Sequence, residues 1–157
     1  MPRAVLAVVL ALAALPALAQ PADRLGLMDV FELEYASDPQ LSPDGATVVY
    51  RRNRLDVQTD RVRGDLWTVS ATGGAHRPLV TGVDAASPRW SPDGTRLAYV
   101  AQDTDEERRH LMVRDVERGV TVPVARLATA PGGIAWSPDG SQIAFTRFVE
   151  TDARPLA

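Results

Sequence analysis

Few side chains in this sequence could do chemistry. It has two histidines, His76 and His110, and no cysteine. Hydrolysis by a serine nucleophile needs Ser, His and an acid within hydrogen-bond reach, and many such serines stand on a sharp strand-to-helix turn of pattern G-x-S-x-G. That pattern is absent, and each His stands beside a predicted outer strand. We therefore predict no catalytic residue here and interpret both histidines as exposed strand-end residues.

Metal chemistry is equally weakly supported. The two histidines lack the spacing of zinc ligands, and without cysteine there is neither a thiolate site nor a disulfide. Three aspartates at equivalent positions suggest a Ca²⁺ ladder: Asp44, Asp93 and Asp139. Turn aspartates that bond their own backbone explain them more simply. We predict no metal and no cofactor.

These aspartates belong to a tetrapeptide, Ser-Pro-Asp-Gly, that begins at Ser42, Ser91 and Ser137. The spacing falls within the period of about 40 to 50 residues that is typical of β-propeller blades. Pro suits the second position of a type I turn, and Gly suits the position that often needs a positive φ. Each copy is therefore predicted to form the tight turn of a β-hairpin.

The flanks of the turn repeat as well. Large apolar residues stand at three positions relative to each turn Ser: one residue before it, six residues after it and eight residues after it. A small residue stands seven residues after it. The apolar sets are Leu41, Trp90, Trp136; Val48, Leu97, Ile143; and Tyr50, Tyr99, Phe145; the small set is Val49, Ala98, Ala144. Positions six and eight share one face of a strand, and the small residue between them leaves room for a sheet on the other face.

The repeats predict an all-β fold, a partial β-propeller over residues 36–157, with two four-stranded blades and the first hairpin of a third. The blades are placed at about 38–81, 87–127 and 132–149. Charged loops are predicted at 52–64 and 102–109 and interpreted as solvated connectors.

Residues 1–19 have the layout of a secretory signal peptide, with Arg3, an apolar run and Ala-Leu-Ala before Gln20. Residues 20–35 are a short leader whose apolar spacing fits one or two helical turns. The net charge of −3 gives no electrostatic case for nucleic acid. We expect a secreted protein, periplasmic or extracellular in a bacterium, and no membrane contact after signal cleavage.

The ordered motifs resemble the start of a secreted bacterial serine peptidase of the prolyl oligopeptidase family, of the acylaminoacyl-peptidase and dipeptidyl-peptidase type. The motifs are Tyr35–Gly45, Asp65–Trp67, Ser87–Gly94 and Pro131–Trp136. The resemblance implies a propeller that screens peptides by size before they reach a C-terminal α/β-hydrolase domain. That domain is not in this chain, so we expect peptide substrates only in the complete parent protein, with its further blades.

The resemblance draws attention to Glu106 and Glu107, because dipeptidyl peptidases hold the substrate's amine with two adjacent glutamates of the propeller. In this sequence the pair lacks the aromatic neighbours that flank the family's glutamates. It is followed by Arg108 and Arg109. We interpret the four residues as a solvated, self-neutralising hairpin tip.

Two hypotheses remain open. The first is the propeller portion of a secreted peptidase, inactive by itself. The second is a non-enzymatic periplasmic binding module similar to the Tol-system propeller protein. The short leader favours the first, because the Tol-type protein has a whole domain there. In either case we expect an open, association-prone fold whose end faces, including Ile143 and Phe145, lack neighbours.

The signal peptide gives a direct test. Expressed with its own N-terminus in a Gram-negative host, the chain should be cleaved between Ala19 and Gln20, since small residues at the end of an apolar run direct the peptidase there. Mass spectrometry of exported material should find Gln20 first. An exported product that retains Met1 or Arg3 would contradict the interpretation.

Overall fold

The computed structural model describes residues 26, 28–102 and 108–148. The predicted signal peptide, Glu106, Glu107 and the last residues of the chain lie outside this part. Within it the fold is one 3-10 helix, Asp29–Glu32, and ten strands. The all-β prediction is therefore confirmed. No helix in the described residues is long and apolar enough to span a membrane.

The first blade is a four-stranded antiparallel sheet with strands in sequence order. Its strands are β1 (Glu34–Leu41), β2 (Thr47–Asp56), β3 (Arg61–Ser70) and β4 (Arg77–Val80). The second blade repeats this order with β5 (Asp84–Trp90), β6 (Arg96–Gln102), β7 (Arg109–Asp115) and β8 (Thr121–Leu127). The third hairpin pairs β9 (Gly132–Trp136) with β10 (Ile143–Thr146).

The charged loop predicted at 52–64 is wrong, because β2 and β3 continue through it and only residues 57–60 form the turn. Charges of opposite sign meet across the paired strands: Arg63 Nε lies 2.8 Å from Asp56 Oδ2, and Arg54 pairs with Asp65. Such pairs satisfy polar side chains on a sheet. The same extension lets β1 begin at Glu34, opposite Arg54, rather than near Asp38.

The three Ser-Pro-Asp-Gly segments form the predicted tight turns. The glycines have positive φ, 72° at Gly45, 71° at Gly94 and 68° at Gly140. In each turn the Gly amide donates to the Ser carbonyl, at 2.8 to 2.9 Å. Glycine is suited to this backbone because it has no Cβ to clash.

A second backbone feature recurs four residues before each turn Ser. Asp38, Ser87 and Gly133 all have positive φ, at 48°, 55° and 49°. The first two lie where the register of the hairpin shifts, between Ser37 and Gln40 and between Ala86 and Arg89. A bulge of this kind bends and twists the strand. The sequence does not indicate this positive φ, because the Asp, Ser and Gly at the three positions have no side-chain property in common.

The apolar core consists of two clusters, one at each junction between successive units. Alternate residues of β6 belong to different clusters: Leu97 and Tyr99 face the first blade, and Ala98 and Val100 face the third hairpin. The buried members at the first junction are Val49, Leu66, Val80, Ala85, Leu97, Tyr99 and Ala101. Those at the second are Ala98, Val100, Leu111, Leu127 and Ile134.

The direction of these faces corrects one expectation. Ile143 and Phe145 are not uncovered, because both pack against the cluster shared with the second blade. Residues six and eight after Ser91 and after Ser137 point toward the preceding unit. The equivalent residues that face away from the described neighbour are Val48 and Tyr50, and at the other end Ala144 is exposed.

Candidate functional site

The three turn aspartates hold their own turns closed. Asp93 Oδ1 accepts from Ser91 Oγ at 2.5 Å and from the Thr95 amide at 3.1 Å. Asp44 and Asp139 repeat both contacts. The Ser hydroxyl, and then the backbone amide, lower the pKa of Asp93 to about 2. The arrangement matches the predicted backbone bonding. No group of three or more metal-ligating side chains occurs in the described residues.

Successive turns are tied together by the tryptophan that precedes each one. Trp90 Nε1 donates to the Gln40 carbonyl at 3.3 Å, and Trp136 Nε1 donates to the Arg89 carbonyl at 3.0 Å. Gln40 and Arg89 occupy the same place, two residues before a turn Ser. The contact is therefore a repeated one, in which each indole binds the backbone of the preceding unit.

The proline of each of the first two turns also packs against the glycine of the turn that follows it in the next unit. A Cβ on Gly94 would lie 3.5 Å from Pro43 Cδ, and one on Gly140 would lie 3.6 Å from Pro92 Cδ. Arg96 adds a further link, since its Nη2 donates to the Gly140 carbonyl at 2.9 Å and its guanidinium lies 5.0 Å from the Trp136 ring centroid. The turns thus form a continuous band along one edge of the units.

An arginine of β2 joins the two blades at the opposite end. Arg51 Nε donates to the Ala85 carbonyl at 2.9 Å, and its Nη2 lies 2.7 Å from Asp84 Oδ1. The same Asp84 oxygen accepts from the Gly64 amide at 2.9 Å. Arg51 crosses directly over Gly64, where a Cβ would lie only 2.2 Å from Nε. Gly64 is therefore required for the path of this side chain rather than for its own backbone angle.

The first strands of the two blades share a second ion pair. Arg89 Nη1 lies 3.0 Å from both carboxylate oxygens of Asp38. Asp38 also accepts from Gln40 Nε2 at 2.9 Å. Both charged side chains are about one-third exposed, at 31% and 30%. Asp38 lies at the bulge of β1, and no sequence feature indicated that its carboxylate reaches the neighbouring strand.

The structure does not bring the two histidines together. His76 is exposed and precedes β4 of the first blade, whereas His110 is half-buried in β7 of the second. The His76 ring stacks on Tyr50 and lies against Trp67, and its Nε2 contacts the Tyr50 hydroxyl. No serine or carboxylate is among the hydrogen-bond partners of His76 in the described residues. Its contacts are those of an aromatic cluster rather than of a general base.

His110 lies between Ala101 of β6 and Arg126 of β8 in the pairing of strands. It is the second residue of β7 and half-buried, so its predicted exposed setting is only partly met. Glu106 and Glu107 lie outside the described residues, and their interpretation stays a prediction. The most distinctive features of the described residues are the contacts between units.

Comparison with known proteins agrees with this architecture. No family model matches the chain. The uncharacterized peptidase YuxL of Bacillus subtilis is 30% identical over 122 residues, which is 75% of this chain and 18% of the relative. Dipeptidyl-peptidase 5 of Porphyromonas endodontalis is 33% identical over 116 residues, 70% of this chain and 16% of the relative. A Tol-Pal system protein, TolB of Alcanivorax borkumensis, is 35% identical over 60 residues, 38% of this chain and 14% of the relative.

Solved structures show the same fold. The β-propeller domain of the trilobed protease from Pyrococcus furiosus matches with a TM-score of 0.60 and 20% identity, over 74% of this chain and 35% of that one. An acylaminoacyl peptidase matches with a TM-score of 0.63 and 19% identity, over 79% and 19%. The chain is therefore part of a β-propeller.

The relatives agree with the resemblance that the sequence motifs indicated, to the N-terminal propeller portion of the prolyl oligopeptidase family. Most of the chain matches part of two proteins named as peptidases, and it has the fold of a peptidase propeller domain. It spans less than a fifth of the length of the two peptidase relatives, at 18% and 16%.

The Arg51 contact makes a steric prediction. Gly64→Ala should lower the free energy of unfolding by about 2 kcal/mol or more, because the new methyl group displaces Arg51 and leaves Asp84 without its cation. Urea unfolding followed by tryptophan fluorescence measures this. In an Arg51→Ala background the same change should cost little, because nothing remains to displace. An equal cost in both backgrounds would contradict the assignment.

The turn aspartates make a prediction about pH. Because the pKa of Asp93 is lowered from 3.8 to about 2 in the folded chain, its contribution to stability is present above pH 3.8 and is lost as the pH falls to about 2. Asp93→Asn should therefore be less stable than the wild type at neutral pH, with a difference that shrinks toward pH 2. Ser91→Ala should reproduce much of this effect. A difference that is constant with pH would contradict it.

Proposed function

We propose that the longer protein is a secreted serine peptidase and that this segment supplies the first blades of the propeller that controls which peptides reach its hydrolase domain. The observation that carries the proposal is the similarity of most of the chain to two proteins named as peptidases. The repeated contacts between units support it, because they join the units into one section of a propeller instead of leaving separate hairpins.

The arrangement of the first strands supports a role in peptide passage. β5 contacts β1 on one side and β9 on the other, so the first strands of the three units lie side by side. In a propeller the blades are arranged around a central channel. The ion pair between Asp38 and Arg89 joins two of these strands. It would present a fixed pair of charges to a peptide in that channel.

Export is part of the proposal. The sequence of residues 1–19 supports delivery through the inner membrane and release into the periplasm or beyond. Neither nucleic acid nor a cofactor has a place in the proposed activity.

The second candidate is a periplasmic binding module of the Tol type. The observation that favours it is the 35% identity to TolB, although over a shorter stretch. The DNA downstream of codon 157 distinguishes the two. Further blades followed by a G-x-S-x-G segment, in frame or after a shift, would support the peptidase. Further blades followed only by a stop codon would favour the binding module.

The peptidase proposal predicts that the 157-residue chain hydrolyses nothing by itself, because its sequence has no G-x-S-x-G turn that could present a serine nucleophile. Purified chain should show no saturable turnover of chromogenic dipeptide or acyl-amino-acid esters. The longer product, with its downstream hydrolase domain, should show turnover that is lost when the Ser of G-x-S-x-G is changed to Ala. Saturable turnover by the short chain that survives His76→Ala and His110→Ala would show that the chemistry has been misplaced.

A further inference from the structure

A cleft of about 810 Å³ opens between the two blades at the end that carries the turns. One wall comes from the first blade, with Thr47, Thr68 and Arg77. The other comes from the second blade, with Arg114 and Arg118, and Trp90 also lines it. The cleft is separate from the contacts of Arg51 and of Asp38. Its lining combines cations, hydroxyl groups and one aromatic ring with two carboxylates and several apolar side chains.

Arg114 is a half-buried cation whose partners are neutral. Its Nη1 donates to the Gly119 carbonyl and to Thr121 Oγ1, both at 3.0 Å. Its Nε is buried and has no hydrogen-bond partner within the described structure. Burial raises the pKa of the neighbouring Tyr99 hydroxyl, which keeps that group neutral. A partly buried charge without a counter-charge is costly unless something compensates it.

Seven arginines of the described residues have a carboxylate partner. Those in ion pairs are Arg51, Arg52, Arg54, Arg63, Arg89, Arg96 and Arg118. Arg114 and Arg77 form no ion pair within residues 28–102 and 108–148, and both line the cleft. The two cations therefore come from different blades and line the same cleft.

The acidic residues of the cleft do not balance these charges. Asp115 is occupied, because its Oδ1 accepts from the Arg118 amide at 2.8 Å and its Oδ2 lies 3.5 Å from the Arg118 guanidinium. Glu117 remains, and it is exposed on the turn before β8. Guanidinium groups bind carboxylates through paired, charge-assisted hydrogen bonds. The lining thus has the chemistry of a carboxylate site.

We propose that this cleft binds a carboxylate group of a peptide, held between Arg114 of the second blade and Arg77 of the first. Trp90 supplies an apolar surface beside the bound group. The assignment of the carboxylate to a peptide rests on the proposed function, whereas anion binding by the two arginines does not. The site would make the propeller selective for acidic peptides, in addition to any selection by size.

Isothermal titration of the full chain with acetyl-Glu-Glu-Glu-amide tests the proposal, with acetyl-Gln-Gln-Gln-amide and citrate as comparison ligands. The Glu peptide should bind, and binding should weaken as salt is added, because the contact is electrostatic. The Gln peptide should not bind. Equal binding of the two peptides, no binding of the Glu peptide, or binding of citrate alone would each overturn the proposal.

Matched variants locate the site. Arg77→Gln and Arg114→Gln should each weaken binding of the Glu peptide by about 10-fold, the loss expected for one charge-assisted contact. Arg126→Gln makes the same change of charge on β8, outside the cleft, and should leave binding unchanged. Arg77 is exposed and has no hydrogen bond from its guanidinium within the described residues, so this variant should fold even if Arg114→Gln does not. Equal losses in Arg126→Gln and Arg77→Gln would overturn the assignment.

The binding test does not depend on hydrolysis. Failure of the titration would leave the peptidase proposal in place, and failure of the activity test would leave a carboxylate site in a non-enzymatic propeller.

Discussion

The fold depends on the burial of each sheet's faces by the units on either side. β6 shows the constraint most clearly, because Leu97 and Tyr99 are buried against the first blade while Ala98 and Val100 are buried against the third hairpin. A strand covered on both faces cannot alternate apolar and polar residues, so large and small apolar residues alternate instead. The hydrogen bonds and ion pairs between units are compatible with this stacking.

Polar contacts then fix how one unit sits on the next. At the turn end, indole groups bind backbone carbonyls, and prolines pack against glycines of the following turn. At the other end, Arg51 crosses the bare backbone of Gly64 to reach Asp84. Because the two sets lie at opposite ends of the junction, they restrict rotation of one blade against the other. The proposed selection of peptides would require this rigidity, because several units line the channel of a propeller.

The same stacking leaves a cleft where the blades diverge at the turn end, and two arginines without carboxylate partners in the described chain line it. A junction between blades can therefore carry function of its own, as binding sites often lie between structural units. The proposed carboxylate site and the proposed role in a peptidase are linked by their ligand, because both concern peptides.

The sequence by itself determined the repeat, the turns and the all-β class, because turn chemistry and strand alternation are local properties of the chain. It also indicated the family. It did not determine the length of β2 and β3, because the charges between 52 and 64 resemble a loop until cross-strand partners are known. Nor did it reveal the bulge at Asp38 or the direction of Ile143 and Phe145. Those depend on which blade covers which face, and only the tertiary structure decides that.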